Sequence, residues 1–320
     1  MVIFKNISEI KGKLLHPVVT IGNFDGVHLG HREIFRRVKQ RAAERGGVSV
    51  VITFVPHPLR VVSAGKHILL INTYAEKEKL IEASGIDYLL EIPFDVTFAA
   101  IPAREFVEKV LVGTMGMEKL VIGYDYAFGR KREGDVELLQ RLGEEFAYSV
   151  EVLQPIASGT MIYSSSAVRN MIAAGEVKQV VSLLGRHYSL GGTVVHGHHR
   201  GTGLGFPTAN LETDKELLPK AGVYAVKVKI DDLLYDGACN IGTNPTFHNE
   251  KLSVEVFLFN FVGDLYGREV RLYFIDRLRD EMQFPDLAAL QQAIAADIAR
   301  CKEILRDAAI IEYREYLENC

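Results

Sequence analysis

Two histidines three residues apart, His28 and His31, stand in the stretch 20-TIGNFDGVHLGH-31, just where a segment with helical periodicity begins. Residues at this spacing share a face at the first turn of a helix, so both imidazoles can donate hydrogen bonds to phosphate oxygens. A helix beginning near Leu29 would direct its free N–H groups and the positive end of its dipole to the same spot. The backbone can approach a ligand closely at three glycines, Gly22, Gly26 and Gly30. The stretch therefore predicts a polyphosphate-binding turn.

Two other interpretations of the histidine pair stay open. A zinc site would need a third ligand and a carboxylate close by, which Asp25 can supply. A purely structural turn would need no ligand at all.

A second candidate site is the glycine-rich stretch 196-HGHHRGTGLGFPTANL-211. The dinucleotide-binding fingerprint requires a helix after its glycines, whereas an extended segment led by Pro207 follows here, so that interpretation is excluded. Bare backbone amides can still form a nest that wraps phosphate groups, at Gly201, Gly203 and Gly205.

Thr208 and Asn210 alternate with Ala209 on this extended segment, so their side chains point the same way. A hydroxyl and an amide oxygen aligned in this manner can bind Mg²⁺, which prefers oxygen ligands. Two alternatives remain: a glycine-rich hairpin followed by an edge strand, and a metal cluster formed by His196, His198 and His199.

The elements that must position the first site alternate along the N-terminal part of the chain. Strand-like runs at 18–22, 48–54, 87–92, 119–123 and 149–153 alternate with helical patterns at 31–45, 75–84, 102–111 and 136–146. Such alternation predicts a Rossmann-like parallel sheet with helices on both faces, and ligands at the carboxyl ends of its strands. Two short helices are predicted at 164–174 and 177–184.

After Gly185 the rhythm changes, and five strand-like runs are separated by Gly, Asp and Asn turns, at 188–196, 222–230, 233–242, 252–261 and 269–278. An amphipathic helix is predicted at 286–306. Five or six strands with a closing helix predict a small antiparallel β-barrel. We therefore expect two domains, residues 1–184 and 185–320.

The composition narrows the class of protein. The 320 residues are 48% hydrophobic and carry a net charge of −4, which argues against general binding of nucleic acid. The three cysteines, Cys239, Cys301 and Cys320, are far apart, which favours a reducing compartment without a structural zinc site. Neither a signal peptide nor a membrane-spanning run is predicted, so we expect a cytoplasmic protein.

The motifs together resemble a known family. GNFDGVHLGH is similar to the signature of the HxGH nucleotidyltransferases, and the match resembles most the bacterial bifunctional riboflavin kinase/FMN adenylyltransferases, or FAD synthetases. Three further stretches of this chain resemble motifs of that family: 53-TFVPHPLRVV-62, 123-GYDYAFGRKREGD-135 and 163-YSSSAVRNMI-172. The last departs from the family pattern, because Tyr163 stands for Ile and Ser166 for Thr, although Ser166 keeps the hydroxyl.

The resemblance implies roles for the first site in adenylyl transfer from ATP to FMN. His28, His31 and Arg169 would supply positive charge and positioning, and no general base is required because the attacking phosphate is already anionic. ATP would be bound by Gly22, Asn23, Phe24, Asp25, Gly26, His28, Gly30, His31, Ser164, Ser165 and Arg169. The flavin would be bound by Pro56, His57, Asp125, Tyr126 and Phe128. Without the motif, Arg169 would be interpreted as a surface arginine, and Tyr126 and Phe128 as residues of the core.

The resemblance also implies a riboflavin kinase in the barrel. The stretch 201-GTGLGFPTAN-210 would bind ATP and Mg²⁺, with Pro207 leading the strand that carries Thr208 and Asn210. The neutral 5′-hydroxyl of riboflavin needs a carboxylate base, for which Glu255 is the candidate and Glu269 the rival. The stretches 239-CNIGTNPTF-247 and 277-RLRDEMQF-284 also resemble the kinase, and Arg279 and Glu281 would help to close over the flavin.

These expectations describe a bifunctional enzyme that acts on riboflavin, FMN and ATP, as a monomer or weak homo-oligomer without nucleic-acid or membrane partners. Two other classes remain as alternatives. A flavin-binding regulator would have inactive sites, and an RNA-related HxGH enzyme would need a Lys-rich loop in place of 163-YSSSAVR-169 together with a basic barrel face.

Overall fold

The structure is a computed structural model that describes residues 1–63, 68–155, 157–158, 161–196, 206–243 and 252–313. The chain divides into two compact units, Met1–Ser165 and Ser166–Cys320. No helix in the described part of the chain has both the length and the apolar character needed to span a bilayer.

The first unit is built on a parallel sheet of six strands, β1 (Val2–Phe4), β2 (Val18–Ile21), β3 (Ser49–Val55), β4 (Tyr88–Pro93), β5 (Lys119–Gly123) and β6 (Ser149–Leu153). Its helices are α1 (Leu29–Glu44), α2 (Pro58–Val62), α3 (Tyr74–Ala83), α4 (Val96–Ala99), α5 (Ala103–Glu105), which continues as a π-helical segment (Phe106–Val112), and α6 (Val136–Phe146). Short 3₁₀ turns (Ile7–Ile10 and Arg130–Arg132) and a small two-stranded pair, β7 (Ala157–Ser158) with β8 (Met161–Ile162), complete it.

The strand order of this sheet is β1-β4-β3-β2-β5-β6, and every pairing is parallel. The central strands are continuous apolar runs because helices cover both faces of the sheet, and residues such as Val50 and Ile52 are fully buried. From β2 the chain proceeds to β3 and β4 on one side and later to β5 and β6 on the other. This reversal of direction places a crevice at the carboxyl end of β2, where open α/β sheets bind ligands.

The second unit begins with α7 (Ser165–Ala174), whose first residue closes the first unit, and with α8 (Val181–Leu184). Six strands follow, β9 (Ser189–Val195), β10 (Ala209–Glu212), β11 (Gly222–Ile230), β12 (Leu233–Thr243), β13 (Leu252–Leu258) and β14 (Glu269–Arg279). They close a barrel in the order β10-β13-β12-β11-β14-β9, with antiparallel pairing throughout. The inside is packed by large side chains such as Tyr224, whose ring meets that of Phe274 edge to face at 5.3 Å.

The C-terminal helix α9 (Leu287–Leu305) covers part of the outer face of this barrel. Asp286 caps its N-terminus by accepting a hydrogen bond from the Ala289 amide at 2.8 Å. Cys301 and Leu305 are fully buried, in a cluster that includes Ala225 of β11. At the other end of the helix, Lys227 Nζ donates to the carbonyl of Leu305 at 3.0 Å, so the apolar stripe and both ends of the helix are stabilised.

The predicted fold class is confirmed: a six-stranded parallel sheet, a closed antiparallel barrel and a C-terminal helix. Two helix predictions were wrong in part. Residues 177–180 form turns, so that only Val181–Leu184 is helical, and the predicted helix at 102–111 widens into π-helical geometry after its first turn. The three-residue strand β1 was not predicted, since a strand of that length has too little periodicity to detect.

Candidate active sites

The turn between β2 and α1 carries the first candidate site, and its backbone is unusual. Phe24 and Val27 adopt left-handed conformations with φ of 50° and 38°, which are rare for residues with side chains. Gly26 has φ of 87°, and a Cβ at this position would lie 2.9 Å from Cδ1 of Ile71. The turn therefore needs glycine at position 26 and strong support from its surroundings.

Asp25 provides part of that support. The side chain is buried, and its Oδ1 accepts a hydrogen bond from the Ile71 amide at 3.0 Å. Its carbonyl accepts another from Ser165 Oγ at 2.7 Å. Among the residues that the structure describes, no group of three or more histidine, cysteine or carboxylate side chains is arranged to bind a metal. The contacts of Asp25 fit an organiser of the turn better than a zinc ligand.

His28 and His31 lie side by side at the N-terminus of α1. His28 caps the helix, with its Nδ1 accepting from the His31 amide at 3.4 Å, and the two rings stack with their centroids 3.6 Å apart. A Cβ on Gly30 would come within 3.1 Å of the His28 ring, so glycine allows this close packing. The ring of Phe24 also meets the His31 ring edge to face at 5.1 Å. The turn thus presents both imidazoles together, as a phosphate-binding site requires.

The charge on His31 differs from the expectation. The pKa of His31 lies well below its usual value, because burial disfavours the cation and because His28 and Lys77 add positive charge nearby. His31 is therefore neutral near pH 7 in the free protein, and a neutral imidazole can still donate one hydrogen bond from its ring. Its buried Nδ1 has no hydrogen-bond partner within the described residues.

The residues predicted to bind flavin follow neighbouring strands of the same sheet. Pro56 and His57 come after β3, and His57 caps α2 through a bond from the Leu59 amide at 3.2 Å. After β5, Asp125 is exposed and Tyr126 stacks on Phe128 with the ring centroids 5.6 Å apart. Since carboxyl ends of parallel strands meet at one edge, both segments lie at the edge that carries the turn between β2 and α1. This turn, residues 22–31, is called the histidine turn below. Burial also raises the pKa of Tyr126, which stays protonated.

Ser164 directly precedes α7, Ser165 is the first residue of this helix, and Arg169 follows four residues later. Ser165 contacts the turn through its bond to the Asp25 carbonyl. Arg169 is partly buried one helical turn after Ser165, and the helix places these two residues on the same face.

Sequence reasoning missed one residue at this site, Lys77 of α3. Only 5% of Lys77 is exposed, and its Nζ donates to Thr53 Oγ1 at 2.9 Å and to the Asn23 carbonyl at 3.4 Å. A signal was present, because Lys77 precedes the buried Ile81 by four residues and so shares its face of the helix. A lysine on the buried face of an amphipathic helix is unusual enough to suggest a role.

The second candidate site centres on Glu255 in the barrel. Glu255 of β13 stands opposite Asn210 of β10 on one side and opposite Asn240 of β12 on the other. Thr208 Oγ1 donates to Glu255 Oε2 at 3.3 Å. Thr208, Asn210 and Glu255 therefore converge. Asn240 belongs to the kinase-like stretch 239–247, and the strand register places it beside Glu255.

Glu255 lies on the face of β13 opposite to its buried neighbours Val254 and Val256, which are 3% and 1% exposed. The carboxylate is therefore on the outer face of the barrel, where it is partly exposed. The rival carboxylate, Glu269, is exposed at the start of β14 and stands opposite Thr193 of β9. The structure brings Thr208 and Asn210 to Glu255 and not to Glu269.

Arg279, which was expected to help close over the flavin, contacts the C-terminal helix in this structure. Its guanidinium binds both oxygens of Asp297 on α9, at 2.7–3.1 Å, and donates to the Asp280 carbonyl at 2.9 Å. Arg279 therefore ties the end of β14 to α9. Glu281 lies directly beside Gly242, in the same surroundings as Asn240, so that a Cβ on Gly242 would clash with its carboxylate.

Of the remaining predicted residues of the barrel site, some are among the residues that the structure describes and others are not. Pro207 is described and leads directly into Thr208 and β10. Gly201, Gly203 and Gly205 lie outside, as do His198 and His199 of the alternative metal cluster.

The donor set around Glu255 fits magnesium. A hydroxyl, an amide and a carboxylate converge there, and their oxygen atoms are the ligands that Mg²⁺ prefers. A hydroxyl and amide pair is also too hard a donor set for zinc, which takes nitrogen and sulfur ligands.

The fold and the two sites define an enzyme class: a two-domain phosphate-group transferase with a nucleotidyltransferase-like sheet and a kinase-like barrel. The model of the FAD synthetase family matches residues 11–167, and the model of the riboflavin kinase family matches residues 184–305. The chain belongs to the family of bifunctional riboflavin kinase/FMN adenylyltransferases.

Relatives with that activity cover nearly the whole chain. The enzyme of Pseudomonas fluorescens is 37% identical over 91% of this chain and 94% of its own length. That of Escherichia coli K12 is 36% identical over 89% and 92%. A crystal structure of a Streptococcus pneumoniae protein described as a macrolide-efflux protein matches with a TM-score of 0.85 and 33% identity, over 96% of this chain and 99% of that one. The latter shows the same fold in both units, and the family models indicate the activity.

Proposed function

We propose that this chain makes FAD from riboflavin in two steps, one in each of two domains. The barrel domain, residues 185–320, phosphorylates riboflavin with ATP to give FMN and ADP. The domain of residues 1–184 then joins FMN to the AMP part of a second ATP and releases pyrophosphate. The observation that supports this proposal is that the two family models match separate parts of the chain, residues 11–167 and 184–305, and that a different candidate site lies in each part.

Adenylyl transfer at the histidine turn is a matter of positioning. A phosphate oxygen of FMN attacks the α-phosphorus of ATP, and the bond to pyrophosphate breaks. The nucleophile is already anionic, so the protein contributes hydrogen-bond donors and electrostatic stabilisation. We assign these donors to the ring N–H groups of His28 and His31, the free amides of the first turn of α1, and the guanidinium of Arg169. Pro56, His57, Asp125, Tyr126 and Phe128 would hold the flavin at the same sheet edge.

Phosphorylation of riboflavin requires a base because its 5′-hydroxyl is neutral. We assign this role to Glu255, which is partly exposed and can approach a hydroxyl from the outer face of the barrel. Thr208 and Asn210 would hold Mg²⁺, which neutralises charge on the ATP phosphates when bound. The bond from Thr208 to Glu255 keeps the two side chains together.

A single time course tests the two-step proposal. The purified chain is incubated with riboflavin, ATP and Mg²⁺, and the flavins are separated by chromatography. FMN should rise first and FAD should follow. Binding of riboflavin without either product would favour the flavin-binding regulator, and FMN without FAD would leave only the kinase.

Removing the Thr208 hydroxyl should weaken the use of magnesium by the kinase alone. Thr208→Val keeps the shape of the side chain but loses one oxygen ligand, so the Mg²⁺ concentration for half-maximal FMN formation should rise at least about tenfold. Thr208→Ser should stay close to the parent chain, and Thr193→Val on β9 is the matched control. An unchanged magnesium requirement in Thr208→Val would remove Thr208 from the metal site.

The small-molecule partners of the enzyme are riboflavin, FMN and ATP. We infer that it works in the cytoplasm as a monomer or weak homo-oligomer, without nucleic acid. The net charge of −4 supports the last point. Sedimentation of the chain with and without added RNA tests the oligomeric state and the absence of RNA binding together.

A further inference from the structure

Lys77 connects α3 to the histidine turn through the Asn23 carbonyl. That carbonyl accepts hydrogen bonds from Lys77 Nζ at 3.4 Å and from Thr53 Oγ1 at 3.2 Å, while the Thr53 hydroxyl accepts from Lys77 at 2.9 Å. Three groups from β3, α3 and the turn thus form one closed set of hydrogen bonds. Such closed sets are stronger than isolated bonds and hold their members in one geometry.

Phe24, the next residue of the turn, connects this hydrogen-bonded set to His31. Phe24 follows Asn23 directly and adopts the left-handed conformation, and its ring packs edge to face on the His31 ring at 5.1 Å and on Phe35 at 4.9 Å. A left-handed phenylalanine persists only where the surrounding structure fixes it. The bond from Lys77 to Asn23 lies at the start of the strained segment, where it can fix the orientation of Phe24 and, through Phe24, of His31.

The second ligand loop is also held by α3. Tyr74, three residues before Lys77 on the same helix face, accepts a hydrogen bond at its hydroxyl from the His57 amide at 2.9 Å. Lys77 Nζ lies 5.3 Å from the centroid of the Tyr74 ring, within the range of a cation–π contact. One face of α3 therefore contacts both the histidine turn and the Pro56–His57 segment.

Charged groups of several elements surround Lys77. Burial is the largest influence and lowers its pKa to about 8, opposed by the carboxylates of Glu91 on β4, Asp25 in the turn and Glu78 on α3, while Lys5 after β1 acts with burial. On the α1 side stand His28 and His31, and the ammonium of Lys77 contributes to the low pKa of His31. Near pH 7 the lysine is charged and the histidine is neutral.

We propose that Lys77 is a positioning residue for adenylyl transfer, which fixes the strained backbone of the turn between β2 and α1 through the Asn23 carbonyl and thereby orients the His31 ring. This inference rests on the proposed adenylyl transfer at the histidine turn. The contribution of Lys77 depends on the charge of its side chain, because hydrogen bonds from an ammonium group are roughly twice as strong as those from a neutral amine.

The test compares Lys77→Met and Lys77→Arg with Lys79→Met, the same change on an exposed position of α3. Lys77→Met should lower kcat/KM for FMN adenylylation about 100-fold, the size of effect expected from a misplaced catalytic group. Riboflavin kinase activity of the same chain should not change, and neither should any activity of Lys79→Met. Lys77→Arg should recover most of the adenylylation because it restores a buried cation with several donors.

Two further measurements separate positioning from a merely structural role. In the parent chain kcat/KM should fall as the pH rises through about 8, because the lysine of the free enzyme loses its proton there, and this fall should be absent in Lys77→Arg. The pKa of His31, followed by NMR of ¹⁵N-histidine with His31→Ala for assignment, should be higher in Lys77→Met than in the parent chain.

The proposal is overturned if Lys77→Met keeps the parent rate and the parent pKa of His31, or if Lys77→Arg keeps the fall near pH 8. Should Lys77→Met fail to fold, the pH profile of Lys77→Arg decides by itself. Failure of the proposed function is a different result, since the parent chain would then form no FAD, whereas the NMR titration needs no activity.

Discussion

Glu255→Gln is expected to stop the conversion of riboflavin to FMN while leaving the conversion of FMN to FAD intact. The glutamine keeps the size of the side chain and can still accept a hydrogen bond from Thr208, so the change removes the negative charge and with it the ability to take a proton. General-base catalysis typically contributes 10²- to 10⁴-fold, and we expect the kinase rate to fall about 10³-fold. The measurement is the rate of each step in one preparation, with riboflavin and FMN supplied separately.

Glu269→Gln is the matched control for this change. It alters the rival carboxylate, which is exposed and stands opposite Thr193 instead of Asn210. We expect both rates to stay near those of the parent chain. Equal kinase rates in Glu255→Gln and the parent chain, with a loss in Glu269→Gln, would transfer the role of the base to Glu269.

His31→Ala is expected to produce the opposite pattern, with FMN accumulating and little FAD formed. The change removes an N–H donor at the helix N-terminus, and removal of one such transition-state donor typically costs 10²- to 10³-fold in rate. His31 is a cleaner choice than His28, because His28 also caps α1 and its loss would destabilise the helix by about 1 kcal/mol. The rate of FAD formation from FMN and ATP is the decisive measurement.

His16→Ala controls for the loss of a histidine elsewhere in the same unit. His16 is half exposed and pairs with Glu118 at 2.6 Å, away from the turn. Both activities should be retained in this variant. If folded His31→Ala protein lost the kinase step as well, the assignment of the two reactions to separate units would be wrong.

The placement of the first site could be predicted from the sequence because its determinants are local. Alternating strands and helices imply a parallel sheet, and the glycine-rich turn follows the first strong strand directly. The loops after β3 and β5 then necessarily meet the turn at one edge. The low pKa of His31 could not be predicted in this way, because it depends on burial and on a lysine 46 residues further along the chain (31 to 77).

The barrel site was less accessible to sequence reasoning. The alternation of β13 indicates that Glu255 and Val256 face opposite ways, but which face is inside depends on pairing between distant strands. For the same reason the stretch 239–247 did not reveal that Asn240 stands beside Glu255, since that position follows only from the register of β12 with β13. The contacts of Arg279 depend on where α9 packs, and no local pattern encodes the approach of Asp297.

The short strand β10 also has a consequence for stability. It closes the barrel by pairing with β13 at only two positions, Ala209 with Val256 and Asn210 with Glu255, and the second pair belongs to the proposed kinase site. Magnesium nucleotide bound across this seam would cross-link the two strands, so cofactor synthesis and resistance to unfolding would be thermodynamically coupled in this domain. At low ATP concentration the kinase domain would then be both inactive and less stable against unfolding.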